Sequence, residues 1–563
     1  MTTEATATDG ETGPGLRTVV VASAAGTAFE WYDFFIFGSL ATVIARHFYA
    51  EVGEATGYIL ALLTFGVGFV VRPLGALVFG WFGDRTGRKT TFLVTITLMG
   101  LATVAIGLLP GYATIGIAAP ILLLTMRVLQ GFALGGEYGG AAIYVAEHAP
   151  RKKRGLLTGW IQTTAAFGLI GALSVILITR AILGAEAFDA WGWRIPFVIS
   201  ALLLGVSLWI RLKLNESPAY VQMEAEGGER RAPYREAFLT WKNGRFVLIA
   251  LFGIMVAQGA VWYCGYFYTR FFMERVLRVD VALVDQLVLA ITVASAALYV
   301  FFGWLSDKVG RKPVMLFGMI LALIAFFPGF HALTRAANPA LAEAQISAPV
   351  TVVADPATCA VQFDPVGKAA FASSCDIAKS VLSNAGISYS NVDADIETPT
   401  DARGYPVATV QVGDMSVRSV EGVGLNPVEL KAARADVEVR VKAALTAAGY
   451  PDKADPARMN LPLVFGILMI FMVAATALYG PQAAALVELF PTRVRYTAMS
   501  LPYNIGTGWV GGLLPAASFA LVAWSGNIYF GLWYSIVFTA IAVVVALIWL
   551  PETRGRDLTT VGD

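Results

Sequence analysis

Charge is what this chain has least of. Only 14% of its 563 residues are Asp, Glu, Lys or Arg, against 57% hydrophobic, and the mean hydropathy is +0.65. A water-solvated fold needs a more charged surface than that, so a soluble protein is excluded and a bilayer is the expected solvent. The two signs nearly cancel, 41 basic against 40 acidic residues, which leaves no basic excess for nucleic acid. Histidine and cysteine are scarce, three of each. His47, His148 and His331 fall near the ends of apolar runs and read as interfacial, without a part in proton traffic. No metal site and no cofactor are expected. Residues 1–16 are polar and acidic and lack a basic start, a short apolar core and a small-residue cleavage site, so no removable signal peptide is expected and the first apolar run directs insertion.

Long apolar runs are what the chain has in abundance. A membrane-spanning helix needs roughly 20 mostly apolar residues, and twelve such runs occur, near 19–45, 57–81, 91–109, 119–147, 155–180, 194–212, 245–269, 283–304, 313–333, 461–487, 497–523 and 527–550. Lys and Arg concentrate on the side that holds both termini, above all in Arg151 to Arg154 and the stretch 213–244. Basic short loops stay in the cytoplasm, so a multi-pass protein of the cell membrane with both termini cytoplasmic is expected.

Two segments are near copies: GWFGDRTGRK at Gly80 to Lys89 and GWLSDKVGRK at Gly303 to Lys312. A second repeat pairs Glu147, Pro150 and Arg151 to Arg154 with Glu488, Pro491, Arg493 and Arg495. The chain is therefore a duplication. The two repeats align at different offsets, so the second half carries extra chain, and the hydropathy gap at 334–460 reads as an insertion between helices nine and ten, outside the cytoplasm. The expected division is a cytoplasmic tail (1–16), an amino-terminal six-helix bundle (17–212), a cytoplasmic linker (213–244), helices seven to nine (245–333), the extracytoplasmic inserted domain (334–460), helices ten to twelve (461–550) and a cytoplasmic tail (551–563). Within the insert, 349–354 and 405–412 read as strands and 376–385 and 427–448 as helices, a small α+β unit. Cys359 and Cys375, in that oxidising compartment, are expected to form a disulfide, while Cys264 reads as core packing. The insert shows no catalytic constellation and is read as a lid, a stability element or a docking site for a periplasmic or cell-surface partner.

An ionisable side chain inside a span costs roughly 2.5–3.5 kcal/mol on insertion scales, so each needs a reason. Glu30 and Asp33 share one face of the first helix, and two carboxylates so close in low dielectric let one hold a proton at neutral pH, as a proton relay requires. The alternative is a structural pair satisfied by a neighbouring helix. Arg127 cannot discharge and is expected to meet a carboxylate, a carbonyl dipole or an anionic substrate, with a partner in the first helix as the simplest solution. Glu137, bracketed by Gly131, Gly135, Gly136, Gly139 and Gly140, either faces the cavity or braces the cytoplasmic end. The glycines allow close helix approach, for packing or for a moving interface. Arg72 precedes Pro73 and is read either as a substrate ligand or as a partner for a carbonyl that the proline frees. Tyr263 and Tyr266 are candidate cavity residues. In the repeated loops, Asp84 and Asp307 lie at helix ends where a carboxylate caps amides or pairs with arginine, so Gly80, Asp84, Arg85, Gly87, Arg88 and Lys89 with Asp307, Gly310, Arg311 and Lys312 are candidate latch residues. The alternative is that the loops serve topology alone.

Twelve spans in two halves, the duplicated GxxxDxxGRK loop and the RxxQGxxxGGE run from Arg127 resemble the major facilitator superfamily. EWYDF, RPLGALVFGWFGDRTGRK, GGEYGGA and WGWRIPF (Trp191 to Phe197) are similar to its metabolite:proton symporter family, which includes shikimate, α-ketoglutarate and proline/betaine transporters. The resemblance implies an all-α polytopic membrane protein with the major facilitator fold, alternating access around a midplane site, uptake driven by protons, coupling roles for Asp33 and Arg127, and a latch at Asp84, Arg88, Asp307 and Arg311. It implies transport and no covalent chemistry. NESPAY (Asn215 to Tyr220) and PETRG (Pro551 to Gly555) also echo sugar porters. The expected function is a symporter importing a small polar metabolite, an organic acid or a zwitterionic osmolyte, with protons. A sugar or polyol symporter, and a membrane sensor whose insert binds a ligand, are the alternatives.

Overall fold

In hydrocarbon a backbone amide finds no water, so an apolar run satisfies its own hydrogen bonds by coiling. The computed structural model describes residues 16–50, 54–212, 234–360, 371–393, 400–401, 404 and 406–558. Most of the expected amino-terminal tail, residues 213–233 of the linker and the last five residues lie outside it. Among the described residues ten helices are long and apolar enough to cross a membrane: Leu63–Thr86, Lys89–Leu108, Ala118–His148, Arg151–Leu183, Trp241–Val276, Val281–Val309, Arg311–Ala337, Leu461–Leu489, Arg495–Val522 and Leu532–Trp549. Two further apolar helix pairs are bent, Ser23–Ser39 with Ala41–Phe48 at 62° and Ala185–Gly192 with Arg194–Ile210 at 60°, and each is taken as one span. Counted in chain order these give the twelve expected spans, but the first and sixth are not the straight helices that a hydropathy run suggests. The bends pack on each other. Trp193, at the sixth-span bend, is fully buried against His47 and Phe48, and Asp189 binds Arg46 at 3.0 Å and, through its carbonyl, His47 at 2.8 Å.

Spans one to six and seven to twelve form two halves that meet along seams lined by glycine. In one seam Gly80 of the second span lies against Thr497 of the eleventh, where an added Cβ would come within 3.0 Å of its Cα. In the other, Gly159 of the fifth span faces the backbone of Tyr299 and Val300 in the eighth. Phe35 and Phe267, 6.2 Å apart, bring the first and seventh spans together. Both repeated loops reduce to one residue between helices: Gly87 (φ 98°) separates Glu54–Thr86 from Arg88–Leu108, and Gly310 (φ 121°) separates Val281–Val309 from Arg311–Ala337. That conformation is cheap only for glycine, which is the physical reason for the repeated glycine in GRK.

Between the ninth and tenth spans lies a small α+β unit. Its sheet has the order β2-β1-β3-β4, with β1 Val350–Ala354, β2 Ser390–Asp393, β3 Thr409–Val412 and β4 Met415–Arg418. β1 runs parallel to β2 (Val352 opposite Asn391) and antiparallel to β3 (Val352 opposite Val410). Helices Ser374–Asn384 and Pro427–Ala447 complete it, the second opened by a capping box in which Asn426 accepts from Glu429 N at 2.9 Å and Glu429 accepts from Asn426 N at 3.1 Å. Cys359 and Cys375 are joined by a disulfide. The unit is bolted to the far ends of the second half. Arg278, in the turn between the seventh and eighth spans, donates to the carbonyls of Ala385 and, at 2.8 Å, Pro451, and Tyr389 N donates to Gly526 O at 2.7 Å in the turn before the twelfth span.

Candidate functional site

The in-span charges fall into two clusters at the heart of the first half. Asp33, 6% exposed, accepts from the Ser200 hydroxyl of the sixth span and lies near Thr103 of the third, whose own hydroxyl donates to the Met99 carbonyl at 3.0 Å. Gln130 donates to Thr103 Oγ1 at 2.7 Å and accepts from Arg127 Nη1 at 2.6 Å. A carboxylate partner for Arg127 in the first span is therefore not what the structure has; the carbonyl dipole, another of the expected partners, is. Gln130 and Thr103 lie between Arg127 and Asp33, and the guanidinium is otherwise held by the Phe65 carbonyl at 3.3 Å and the face of Phe37, in the first span, at 4.3 Å. Neutral acceptors and aromatic faces let the guanidinium sit in the core without a carboxylate beside it. Glu30 is buried one turn before Asp33, but the partners of Asp33 come from the third and sixth spans. Thr103, Gln130 and Ser200 escaped the sequence reading, because neutral polar residues are common in spans and carry no cost signal.

Arg72 forms the second cluster. It is fully buried, and Nε, Nη1 and Nη2 have no hydrogen-bond partner among the described residues. The reading of Arg72 as a partner for a carbonyl freed by Pro73 is thus not what the structure has. Trp31, Phe34 and Phe69 ring it at 5.8, 5.7 and 5.5 Å. From the second half, Tyr263 and Tyr503 come close enough to interact with its charge without reaching hydrogen-bond geometry. Tyr263 meets Phe69 at 5.7 Å, and Tyr503 shares a 3.3 Å hydroxyl contact with Tyr479. Of the two candidate tyrosines only Tyr263 joins Arg72. Tyr266 lies one turn on, hydrogen-bonded to Ser295 at 3.0 Å and beside Trp262. The result is a guanidinium enclosed by both halves, walled by aromatic rings, with its donors unmatched.

At the basic face the repeat becomes a symmetric clasp. Asp84 accepts from Thr497 N at 2.9 Å and Thr497 Oγ1 at 2.7 Å in the first turn of the eleventh span. Asp307 accepts from Gly155 N at 2.9 Å and Leu156 N at 2.8 Å in the first turn of the fifth. Each aspartate caps a helix of the opposite half, where the amide dipoles favour negative charge. Two buried ion pairs cross the same plane: Glu147 to Arg495 at 2.6 Å, and Glu488 to Arg154 at 2.7 Å. Glu488 also takes Arg311 at 3.3 Å, and Arg311 reaches Asp307 at 2.7 Å. These four crossing partners were visible in the sequence as the second repeat, but a repeat does not say that its members bind across halves. Tyr496 donates to Gly136 O and Asn504 to Gly135 O at 2.9 Å, and Gly139 abuts Ser500, so the glycines of the fourth span serve the interface. Of the remaining loop candidates, Arg85 stacks on Trp81 at 4.5 Å, Lys89 binds Leu212 O at 3.1 Å, and Lys312 binds Leu547 O at 3.0 Å. The side chains of Arg88 and Glu137 lie outside the described residues.

Residues 552–558 run across this clasp. Glu552 accepts from Arg311 N and Lys312 N at 2.9 and 3.1 Å. Thr553 donates to Glu488 at 2.9 Å, the Arg556 carbonyl takes Arg154 at 3.1 Å, Asp557 pairs with Arg151, and the Leu558 carbonyl takes Arg495 at 3.0 Å. The sequence reading treated this segment only as a tail.

Comparison with known proteins gives the same architecture. A profile described as "Sugar (and other) transporter" matches residues 18–236 and 441–562, and one described as "MFS/sugar transport protein" matches 141–354. Residues 355–440 lie outside both matches. The shikimate transporter of Escherichia coli (strain K12) is 36% identical over 320 residues, which cover 56% of this chain and 72% of that protein. The proline/betaine transporter of Salmonella typhimurium is 35% identical over 325 residues, covering 56% of this chain and 64% of the relative's own length. In fold, the chain is similar to the proton:xylose symporter XylE bound to 6-bromo-6-deoxy-D-glucose, with a TM-score of 0.59 at 16% identity and coverage of 97% and 98%. Profile matches in both halves and a relative this similar over most of its length establish that the chain belongs to the major facilitator superfamily of membrane transporters.

Proposed function

We infer that this transporter is a proton-coupled symporter that imports a small carboxylate-bearing metabolite, an organic acid or a zwitterionic osmolyte, by alternating access. The observation that carries the reading is Arg72: a fully buried guanidinium with no acceptor among the described residues, enclosed by rings from both halves. A buried charge without a partner is expensive, and a planar guanidinium offers paired N–H donors that match a carboxylate. A carboxylate arriving at Arg72 removes that penalty and draws Tyr263 and Tyr503 of the second half onto the first. Shikimate, proline and betaine, named for the two relatives, all carry a carboxylate. Asp33 is the proton carrier: a buried carboxylate separated from Arg127 by the polar side chains of Thr103 and Gln130. The clasp at Asp84, Asp307, Glu147 and Glu488 holds the cytoplasmic side shut while substrate enters from the other, and its opening releases substrate inward. The basic loops support a cytoplasmic position for that side and for both termini in a cell membrane.

The test is uptake into proteoliposomes under an imposed inward proton gradient, against labelled organic acids, proline, betaine and sugars. Gradient-dependent accumulation of carboxylates, lost in Arg72→Gln, is expected. Accumulation of sugars with no competition by carboxylates overturns the reading.

A further inference from the structure

The seam between the fifth and eighth spans is not closed along its outer side. A crevice of about 580 Å³ opens there toward the bilayer, walled by Trp160, Thr163 and Phe167 of the fifth span and Val293, Ala297 and Trp304 of the eighth. Its floor is the backbone contact of Gly159 with Tyr299 and Val300. The opposite seam, between the second and eleventh spans, is bridged instead by Trp509, whose indole N–H donates to the Val70 carbonyl at 3.1 Å.

Length and charge select the occupant. From Leu156, at the basic end of the lining, to Phe167 the helix rises by about 16 Å at 1.5 Å per residue, close to the roughly 15 Å hydrocarbon depth of one leaflet. The lining is almost wholly apolar, as an acyl chain requires. At the basic end the chemistry changes. Lys152 and Lys153 sit three to four residues before Leu156, and Lys308 lies one turn after Trp304, on the same helix face. All three lysines are exposed, and none forms an ion pair among the described residues. Trp160 and Trp304, 43% and 42% exposed, stand between lysines and crevice, at the depth where an indole pairs an apolar body with a polar N–H.

We propose that this crevice seats one acyl chain of an anionic phospholipid, whose phosphate rests on Lys152, Lys153 and Lys308. The site has one wall from each half, so the bound lipid wedges the seam and its occupancy is coupled to the relative angle of the halves. Lipid binding at this seam is measured without transport, so it and the transport reading can each fail alone.

The experiment uses the purified full chain in detergent, titrated with phosphatidylglycerol or phosphatidylcholine of matched acyl chains, with bound lipids counted by native mass spectrometry. Phosphatidylglycerol is expected to bind at least tenfold more tightly. Each of Lys153→Gln and Lys308→Gln should weaken it about fivefold, from the contribution of a basic residue near an anionic headgroup, and leave phosphatidylcholine unchanged. Ala297→Trp, which fills the crevice, should weaken both lipids, and the milder Ala297→Leu keeps the test readable if the larger side chain blocks folding. Equal binding of the two lipids overturns the proposal. So does a loss in Lys242→Gln, a basic residue outside the crevice, as large as that in Lys308→Gln, because the attraction would then be general surface charge. Unaltered binding in both Ala297 variants would place the lipid elsewhere and also overturn it.

Discussion

A guanidinium offers five N–H donors, and at Arg72 all three nitrogens are buried without an acceptor among the described residues. Replacing it by glutamine should stabilise the empty protein and weaken carboxylate binding by roughly 10- to 100-fold, the worth of a charged hydrogen-bonded contact; equilibrium binding beside thermal unfolding reads both effects. Asp33→Asn should abolish proton-driven accumulation while the protein still inserts and still exchanges substrate down its gradient. Wild-type accumulation in that variant would remove Asp33 from the coupling. Gly310→Ala should destabilise by about 1–2 kcal/mol through the left-handed backbone alone, with a further penalty because the added methyl would sit 2.6 Å from Glu552. Arg72, Arg127 and Asp33 were legible in the sequence because charge inside a span is rare and costly. The residues that connect or surround them were not. Thr103, Gln130, Ser200 and Tyr503 are ordinary side chains in a span, and only the packing of four different helices shows that they converge.

Among the elements, the helices that carry the clasp are fixed by groups from the other half. Glu147→Gln or Arg495→Gln leaves a buried charge unpaired and should cost about 3–5 kcal/mol, whereas the double variant should cost much less than the sum. Thermal unfolding of the four proteins in one detergent measures the coupling. In the α+β unit, Cys359→Ser should lower stability by about 3 kcal/mol, the loop-entropy value for a short closed loop, seen as an early transition that reductant reproduces in the parent protein. The strands expected at 349–354 and 405–412 overlap β1 and β3 and both expected helices are present, since periodicity is a local signal, whereas β2 and β4 were not read from the sequence. Nor were the bends of the first and sixth spans. Each is held by the other through Trp193 and Asp189, a contact between residues more than a hundred positions apart.

For the molecule as a whole, two halves and their seams follow from the repeats, while the exchange of partners across the seam follows only from structure. Arg311→Ala should loosen the basic face and raise the accessibility of a cysteine placed at Thr163 or Ser500 to a membrane-impermeant reagent from that side; unchanged accessibility would assign the loops to topology alone. The α+β unit adds an asymmetry, being anchored through Arg278 and Tyr389 to the second half. The segment 552–558 has a consequence of another kind. Arg154 and Arg495, the amides that open the ninth span and the Glu488 carboxylate all find partners in those seven residues. The basic face is therefore sealed by chain that follows the twelfth span, and its closure depends on a segment that belongs to no helix of either half.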